Sequence, residues 1–271
     1  MKPKELPKKD ALVKAPAGEA AGVTGVPSYL QKGDRVMSRG LEGVERQDMT
    51  LPRLGLCQSM TPQRKKSDPK YIPGLEEGQY FNTITGEVYG GDAKLIPLYF
   101  YKTRILFNPL DDGGGIRCQA FDARTGQGDP GGPCDRCPLA QFTKDDAPEC
   151  SLFYNYAAIV LPKGNRQPGM DSLIVVSFKS TSLKVARDWN ALMRLRNVDS
   201  FAGIYEFTSA EQSNSAGQTW YTPVVKNAGW VPENVYQVAE AMYDSVKETQ
   251  AAGRLNVEQE HPEAEHGKSE I

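Results

Sequence analysis

The sequence predicts a mainly β fold of the α+β class, and three observations carry that expectation. Runs rich in β-branched and aromatic residues recur at 95–107, 152–161 and 173–178, the composition of well-packed strands. Helical periodicity is confined to residues 182–196 and to a stretch opened by Pro232 and closed by Gly253, and no strand–helix alternation supports a parallel sheet. Finally, four of the five cysteines fall in one Gly- and Pro-rich segment, 118–150, which cannot build an apolar core of its own.

In chain order, residues 1–47 are rich in Lys, Ala, Gly and Pro without a sustained period and read as a flexible basic arm, with a short amphipathic piece at Tyr29 and Leu30. Order is expected from Leu51. Residues 51–58 read as an edge strand, because Pro52 cannot donate to a ladder, and Cys57 reads as a small buried residue within it. A polar basic loop with Arg64, Lys65, Lys66 and Lys70 follows, and then two short strands over 79–89 about a turn at Thr85 and Gly86. Crowding of aromatic and β-branched residues, together with Pro97, excludes a helix over 95–107. Residues 116–121 continue as strand into the cysteine segment, and 152–161 and 173–178 are two more strands joined by a turn at 162–165.

From Ser182, a plausible N-cap, the helix 182–196 aligns Val185, Trp189, Leu192 and Leu195 on one face. Lys184, Arg187 and Arg194 form a basic stripe on the other. Residues 202–207 and 218–225 return to strand. The last helix places Val235, Val238, Ala239, Met242 and Val246 on one face. Beyond Val257 the tail is too polar to fold alone.

Cys134 and Cys137 stand two residues apart, with Cys118 and Cys150 at loop-length distances on either side. Four thiolates at such spacing can share one tetrahedral ion, and Zn²⁺ accepts four sulfurs without redox chemistry of its own. Two disulfides or unrelated buried thiols are the competing readings. With four sulfur ligands the coordination sphere is closed to water, so the expected role of Zn²⁺ is structural.

Composition sets further bounds. The 271 residues are 39% hydrophobic and 24% charged, as in an ordinary globular chain. No apolar run is long enough to span a bilayer, and the start lacks a signal-peptide core, so no membrane partner is expected. A cytoplasmic location follows as an expectation, where reduced thiols favour metal over disulfide. The net charge of −2 conceals an asymmetry: residues 1–70 carry fourteen basic and eight acidic side chains, residues 231–271 three and nine. A basic arm with an acidic tail suggests a polyanion partner and a region that competes with it. Solvated ends with no partner are the bland alternative. Catalysis is not expected: the only histidines, His261 and His266, lie in the tail, and no phosphate-loop motif is present.

Without the cysteine segment, five strands remain from Leu95 onward, with one helix between the third and fourth. That is the order of the five-stranded OB barrel. The predicted architecture is therefore an OB-type barrel with a zinc-binding insertion, extra N-terminal strands and a C-terminal helix. Its parts are the arm 1–47, an OB-fold nucleic-acid-binding domain 48–230 with the insertion 118–150, a helix 231–253 and an acidic tail 254–271. Such barrels bind single strands through cationic grooves and ring faces, each stacked base contributing ~1–3 kcal/mol. The candidate contacts are Tyr99, Tyr101, Lys102 and Arg104 on the first barrel strand, Tyr154 and Tyr156 on the second, Phe178 and Lys179 at the end of the third, Lys184 and Arg187 on the helix, and Trp220 on the last strand. Any one aromatic in a strand is more often core than contact. Strand alternation also sets Tyr99 and Tyr101 opposite Lys102 and Arg104 unless the strand bulges.

Gln79 to Gly86, residues 95–107, the cysteine cluster and Ser177 to Lys184, with the basic arm and acidic tail, resemble the single-stranded DNA-binding proteins of tailed bacteriophages. The resemblance implies sequence-independent coating of single-stranded DNA during replication and recombination, self-association along the strand, and a location in the infected host's cytoplasm. It also implies an acidic tail that meets replication or recombination proteins. One departure is plain: the phage pattern includes a His ligand to zinc, and no His lies near these cysteines. A zinc-containing phage regulator of host RNA polymerase and a virion structural protein are the alternatives.

Overall fold

The computed structural model describes residues 40, 42–44, 48–144, 146–162, 168–169, 172–215, 217–253, 255 and 257. The arm up to residue 39, most of the acidic tail and the turn at 163–165 lie outside the described residues.

The longest strand organises the rest. β4 (Ala93–Phe107) pairs antiparallel with three others: β8 (Ser151–Val160) along Leu95 to Ile105, β10 (Gly203–Ser213) at Ala93 to Leu95, and β5 (Ile116–Ala120) at Arg104 to Phe107. β8 pairs in turn with β9 (Leu173–Lys179), and β10 with β11 (Thr219–Trp230). The order about β4 is thus β9-β8-β4-β10-β11, and the helix α1 (Leu183–Leu195) connects β9 to β10. Both β10 and β11 run several residues longer than the sequence pattern suggested: β10 continues over Thr208–Ser213 against Thr219–Val224 in a half-exposed ribbon, and β11 continues over residues 226–230 against Gly203–Glu206.

The described residues are mainly β, with antiparallel sheets and two α-helices. Among the described residues no ladder joins β9 to β11, so the sheet is not a closed barrel. The N-terminal strands stand in that opening. β1 (Leu54–Leu56), β2 (Tyr80–Asn82) and β3 (Val88–Gly90) form a small antiparallel sheet. Arg53 makes a parallel bridge to Val175 of β9, whose N–H donates to Pro52 O at 2.9 Å. On the other side the Gln58 side-chain amide donates to Tyr221 O at 2.9 Å and accepts from Tyr221 N–H at 2.8 Å, serving the β11 edge as a strand would. Cys57 is fully buried one residue beyond β1, against Ile72, Leu75 and Phe81.

Both faces of the central sheet are covered, which explains the unbroken apolar run Tyr156 to Val160 on β8. On the inner face Leu95, Tyr156, Ile174, Val176, Phe178, Tyr205 and Phe207 surround Trp189 of α1. On the outer face α2 (Glu233–Ala251) lays Val235, Ala239, Met242 and Val246 on Ile96, Leu98, Ala157 and Ile159. The spacing of four, three and four residues keeps one helical stripe on the sheet, and burying each larger side chain is worth about 1.5–3 kcal/mol in transfer free energy. The helix ends at Gly253, whose φ of 66° suits a residue without Cβ.

The expected apolar face of α1 needs correction. Ala186 and Trp189 are the buried residues, flanked by Leu183, Val185 and Met193, while Leu192 is 36% and Leu195 82% exposed. The helix meets the inner core at its middle, and its last turn runs past the sheet. Ser182 does precede the helix, but its hydroxyl accepts from Lys179 N–H and donates to Lys179 O instead of capping the helix.

Candidate metal centre and nucleic-acid interface

The cysteine segment leaves the sheet where β4 is flanked on both sides. Arg104 faces Ala120 of β5 and Leu152 of β8, so the two stems of the insertion, ending at Cys118 and Cys150, emerge on either side of β4. Within the insertion, β6 (Thr125–Gly128) pairs with β5 through Cys118 and Gly128, and β7 (Gly132–Pro133) pairs with β6. This fold-back brings Cys134 N–H to Arg124 O at 2.8 Å. The Cys137 N–H then donates to Cys134 O, a short 3₁₀ turn follows, and Cys150 N–H donates to Leu139 O at 2.8 Å. Gly126 fits closely here: a Cβ on it would stand 2.8 Å from Cys118 Sγ.

Cys118, Cys137 and Cys150 pack in one small cluster with Leu106, Leu139 and Ala140, and Cys134 is buried beside them. Burial pushes the Cys134 thiol up, and pushes Cys150 up to about 11. The Arg104 guanidinium opposes both shifts, while the other three thiols add to the rise at Cys150. All five cysteines are free thiols. Among the described residues, no three His, Cys, Asp or Glu side chains are arranged so as to hold a metal ion. The structure thus gathers four soft donors into one shielded neighbourhood without converging them on a point. The donor set fits Zn²⁺, which takes four sulfurs tetrahedrally.

Arg104 belongs to this centre. It is half-buried and donates to Ala140 O at 3.3 Å and Cys150 O at 3.4 Å. Its Nη1 is aimed at loop carbonyls and ties the insertion to β4, and the side chain also lines an open hollow with Lys102 and Arg124. Two other expected contacts are core residues. Tyr156 is fully buried, sharing its hydroxyl proton between Ala186 O and Asn190 Oδ1, and Phe178 is 1% exposed against Trp189 and Phe207. Their parity on β8 and β9 points them at the inner core.

The remaining candidates divide between two faces. β4 does bulge, between Pro97 and Tyr99, but the irregularity precedes all four candidates, so alternation separates them as expected. On the outer face Tyr99 and Tyr101 are stacked, with ring centroids 6.4 Å apart, and Tyr99 also meets Tyr243 of α2. Burial pushes the Tyr101 phenol well up, with Arg53 partly opposing. A polar row crosses the sheet beside them: Arg53 donates to Ser177, Ser177 to Asn155 Oδ1, and Asn155 Nδ2 to Thr103. Lys179 lies over the Phe153 ring at 5.9 Å. With inner-face parity, exposed Lys102 lies over the half-buried Tyr154 ring at 4.9 Å. Lys184 and Arg187 are exposed on α1, and Trp220, 40% exposed, stands on β11, beyond β10 and β4 from Tyr154.

Sequence reasoning missed Phe153, Arg53 and Gln58, whose roles depend on strand register. It also missed Phe142, 80% exposed; an isolated phenylalanine in a polar loop was the available signal.

Fold and site together define an antiparallel β protein with a thiol-rich insertion rooted on its central strand. The chain belongs to the family described as Pam3 phage gp34-like protein, matching it over residues 17–252, and is therefore a phage protein. No curated protein and no solved structure matches it. Among the described residues no helix is long and apolar enough to cross a membrane.

Proposed function

We propose that this phage protein binds single-stranded DNA without strong sequence preference, in replication or recombination in the host cytoplasm. The observation that carries the reading is the strand order β9-β8-β4-β10-β11 with α1 between β9 and β10. Numbered from β4 in chain order, omitting the insertion, it reads 3-2-1-4-5, the order of an OB barrel opened between its third and fifth strands. Segment 52–58 occupies that opening. The surface chemistry supports the same reading. Lys102 over Tyr154 offers a cation for a phosphate and a ring for a base, and Lys184 and Arg187 extend positive charge along α1.

The four thiols of Cys118, Cys134, Cys137 and Cys150 would hold Zn²⁺, which supplies a structural cross-link when bound. Arg104 would offset part of the thiolate charge and carry the insertion on β4. The acidic tail is the proposed contact for other replication or recombination proteins. Fluorescence anisotropy with labelled single-stranded and duplex oligonucleotides of one length tests the reading. Tighter binding to the single strand is expected; equal or undetectable binding to both would discard it in favour of a regulatory or virion role.

A further inference from the structure

The central strand has a gap in its pairing. β4 meets β10 up to Leu95 and β5 from Arg104 onward, so on the side away from β8 residues 96–103 carry no ladder among the described residues. Register sets Phe100 across from Tyr156, Lys102 across from Tyr154 and Arg104 across from Leu152, which puts all six on one face. Toward the insertion that face opens: Tyr156 is fully buried, Tyr154, Leu152 and Arg104 are half-buried, and Lys102 is exposed.

The turn between β5 and β6 stands at the opening. Asp122 Oδ1 accepts from Arg124 N–H at 2.8 Å and from Thr125 N–H at 2.9 Å, and Arg124 O accepts from Cys134 N–H at 2.8 Å. The backbone that carries the Arg124 side chain is thus held on both sides. With β4 this turn forms an open hollow of 470 Å³, lined among others by Phe100, Lys102, Arg104, Asp122, Arg124 and Leu152.

Three cations face one carboxylate in this hollow, and two backbone N–H groups already occupy that carboxylate. Arg104 spends Nη1 on the carbonyls of Ala140 and Cys150. Among the described residues neither Lys102 nor Arg124 has an ion-pair partner. Such an excess of positive charge attracts an anion from outside the chain. The ring beside it narrows the choice, since Lys102 Nζ lies 4.9 Å over the centroid of Tyr154. A nucleic-acid strand brings a phosphate and a flat base on every unit, whereas an acidic peptide brings the anion without the ring. An adjoining hollow of 500 Å³ shares Lys102 and Asp122 and adds Thr125, Gln127 and Gln250, uncharged polar side chains suited to base edges.

We propose that the root of the cysteine insertion is a phosphate site, in which Arg124 and Lys102 hold one backbone phosphate of a single strand next to the Tyr154 ring. Arg104 adds charge to the site while anchoring the insertion. This assignment rests on the reading of the chain as a single-strand binder, and it makes the β5–β6 turn part of the binding surface.

Fluorescence anisotropy of the full chain with a labelled single-stranded oligonucleotide, at several salt concentrations, tests the site with Arg124→Ala, Arg124→Lys and Lys144→Ala. Lys144 is exposed on the same insertion but outside the hollow. Arg124→Ala is expected to weaken binding and to make the slope of log affinity against log salt shallower by roughly 0.7, one phosphate contact. Arg124→Lys and Lys144→Ala should keep the wild-type slope. An Arg124→Ala slope equal to wild type overturns the inference and leaves the single-strand reading standing, whereas a wild type that binds no single strand ends both. An equal loss in Lys144→Ala would show diffuse charge without a site, and an equal loss in Arg124→Lys would trace the effect to the fold of the turn; either also overturns it. Labelled oligoglutamate is the second probe: binding as tight as the oligonucleotide's, and as dependent on Arg124, would make the hollow an acidic-peptide site and overturn the assignment to phosphate.

Discussion

Tyr156→Phe separates core from contact surface more cleanly than any other single change. The phenol is fully buried, and its one proton is shared between Ala186 O at 3.0 Å and Asn190 Oδ1 at 2.9 Å. The substitution keeps the ring contacts to Trp189 at 4.3 Å and Phe100 at 5.0 Å and removes only that bond. A buried neutral hydrogen bond contributes about 0.5–1.5 kcal/mol net. A loss near 1 kcal/mol lowers Tm by roughly 2–4 °C in a domain of some 150–250 residues. Thermal unfolding followed by circular dichroism reads the shift, and anisotropy with a single-stranded oligonucleotide reads the affinity, which should not change. A variant with wild-type Tm and weakened binding would put this phenol at the binding surface and refute the inner-face assignment of β8.

Other changes probe the remaining parts. Trp189→Ala empties the centre of the inner core, where the indole meets Tyr156, Phe178, Tyr205 and Phe207, and should cost about 3–5 kcal/mol in a denaturant titration. Purified chain should contain one zinc per molecule by elemental analysis; Cys134→Ser or chelation should expose residues 118–150 to protease while leaving the far-ultraviolet spectrum of the sheet in place. Gly126→Ala sets a methyl 2.8 Å from Cys118 Sγ, so it should lower zinc occupancy without altering any thiol; full occupancy would mean that the sulfur has room to move.

The sequence disclosed elements better than it disclosed contacts. Runs such as 95–107 and 173–178 announce themselves because β-branched and aromatic residues suit a packed pleat, and α2 because its stripe is regular and its partner is flat. The last turn of α1 misled for the opposite reason: Leu192 and Leu195 keep the helical period but extend past the sheet that the period implied. Cysteine spacing pointed to one cluster because a short knuckle and two stems leave little choice of geometry. Ring contacts were the least legible. Whether Tyr154 or Tyr156 meets solvent depends on how far the sheet curls and where α1 crosses it, and neither quantity is written in a local pattern. The role of segment 52–58 between β9 and β11 was hidden for the same reason, since the Gln58–Tyr221 amide pair spans 163 residues.

The slope of log affinity against log salt for single-stranded DNA, compared between wild type and a Lys102→Ala/Arg187→Ala double variant, is the most direct measurement. Each phosphate contact on a single strand contributes roughly 0.7 to that slope. The wild type should lose affinity steeply with salt, and the double variant should be shallower by about 1.4, two such contacts. A flat wild-type slope, or a double variant indistinguishable from it, would contradict the proposed face.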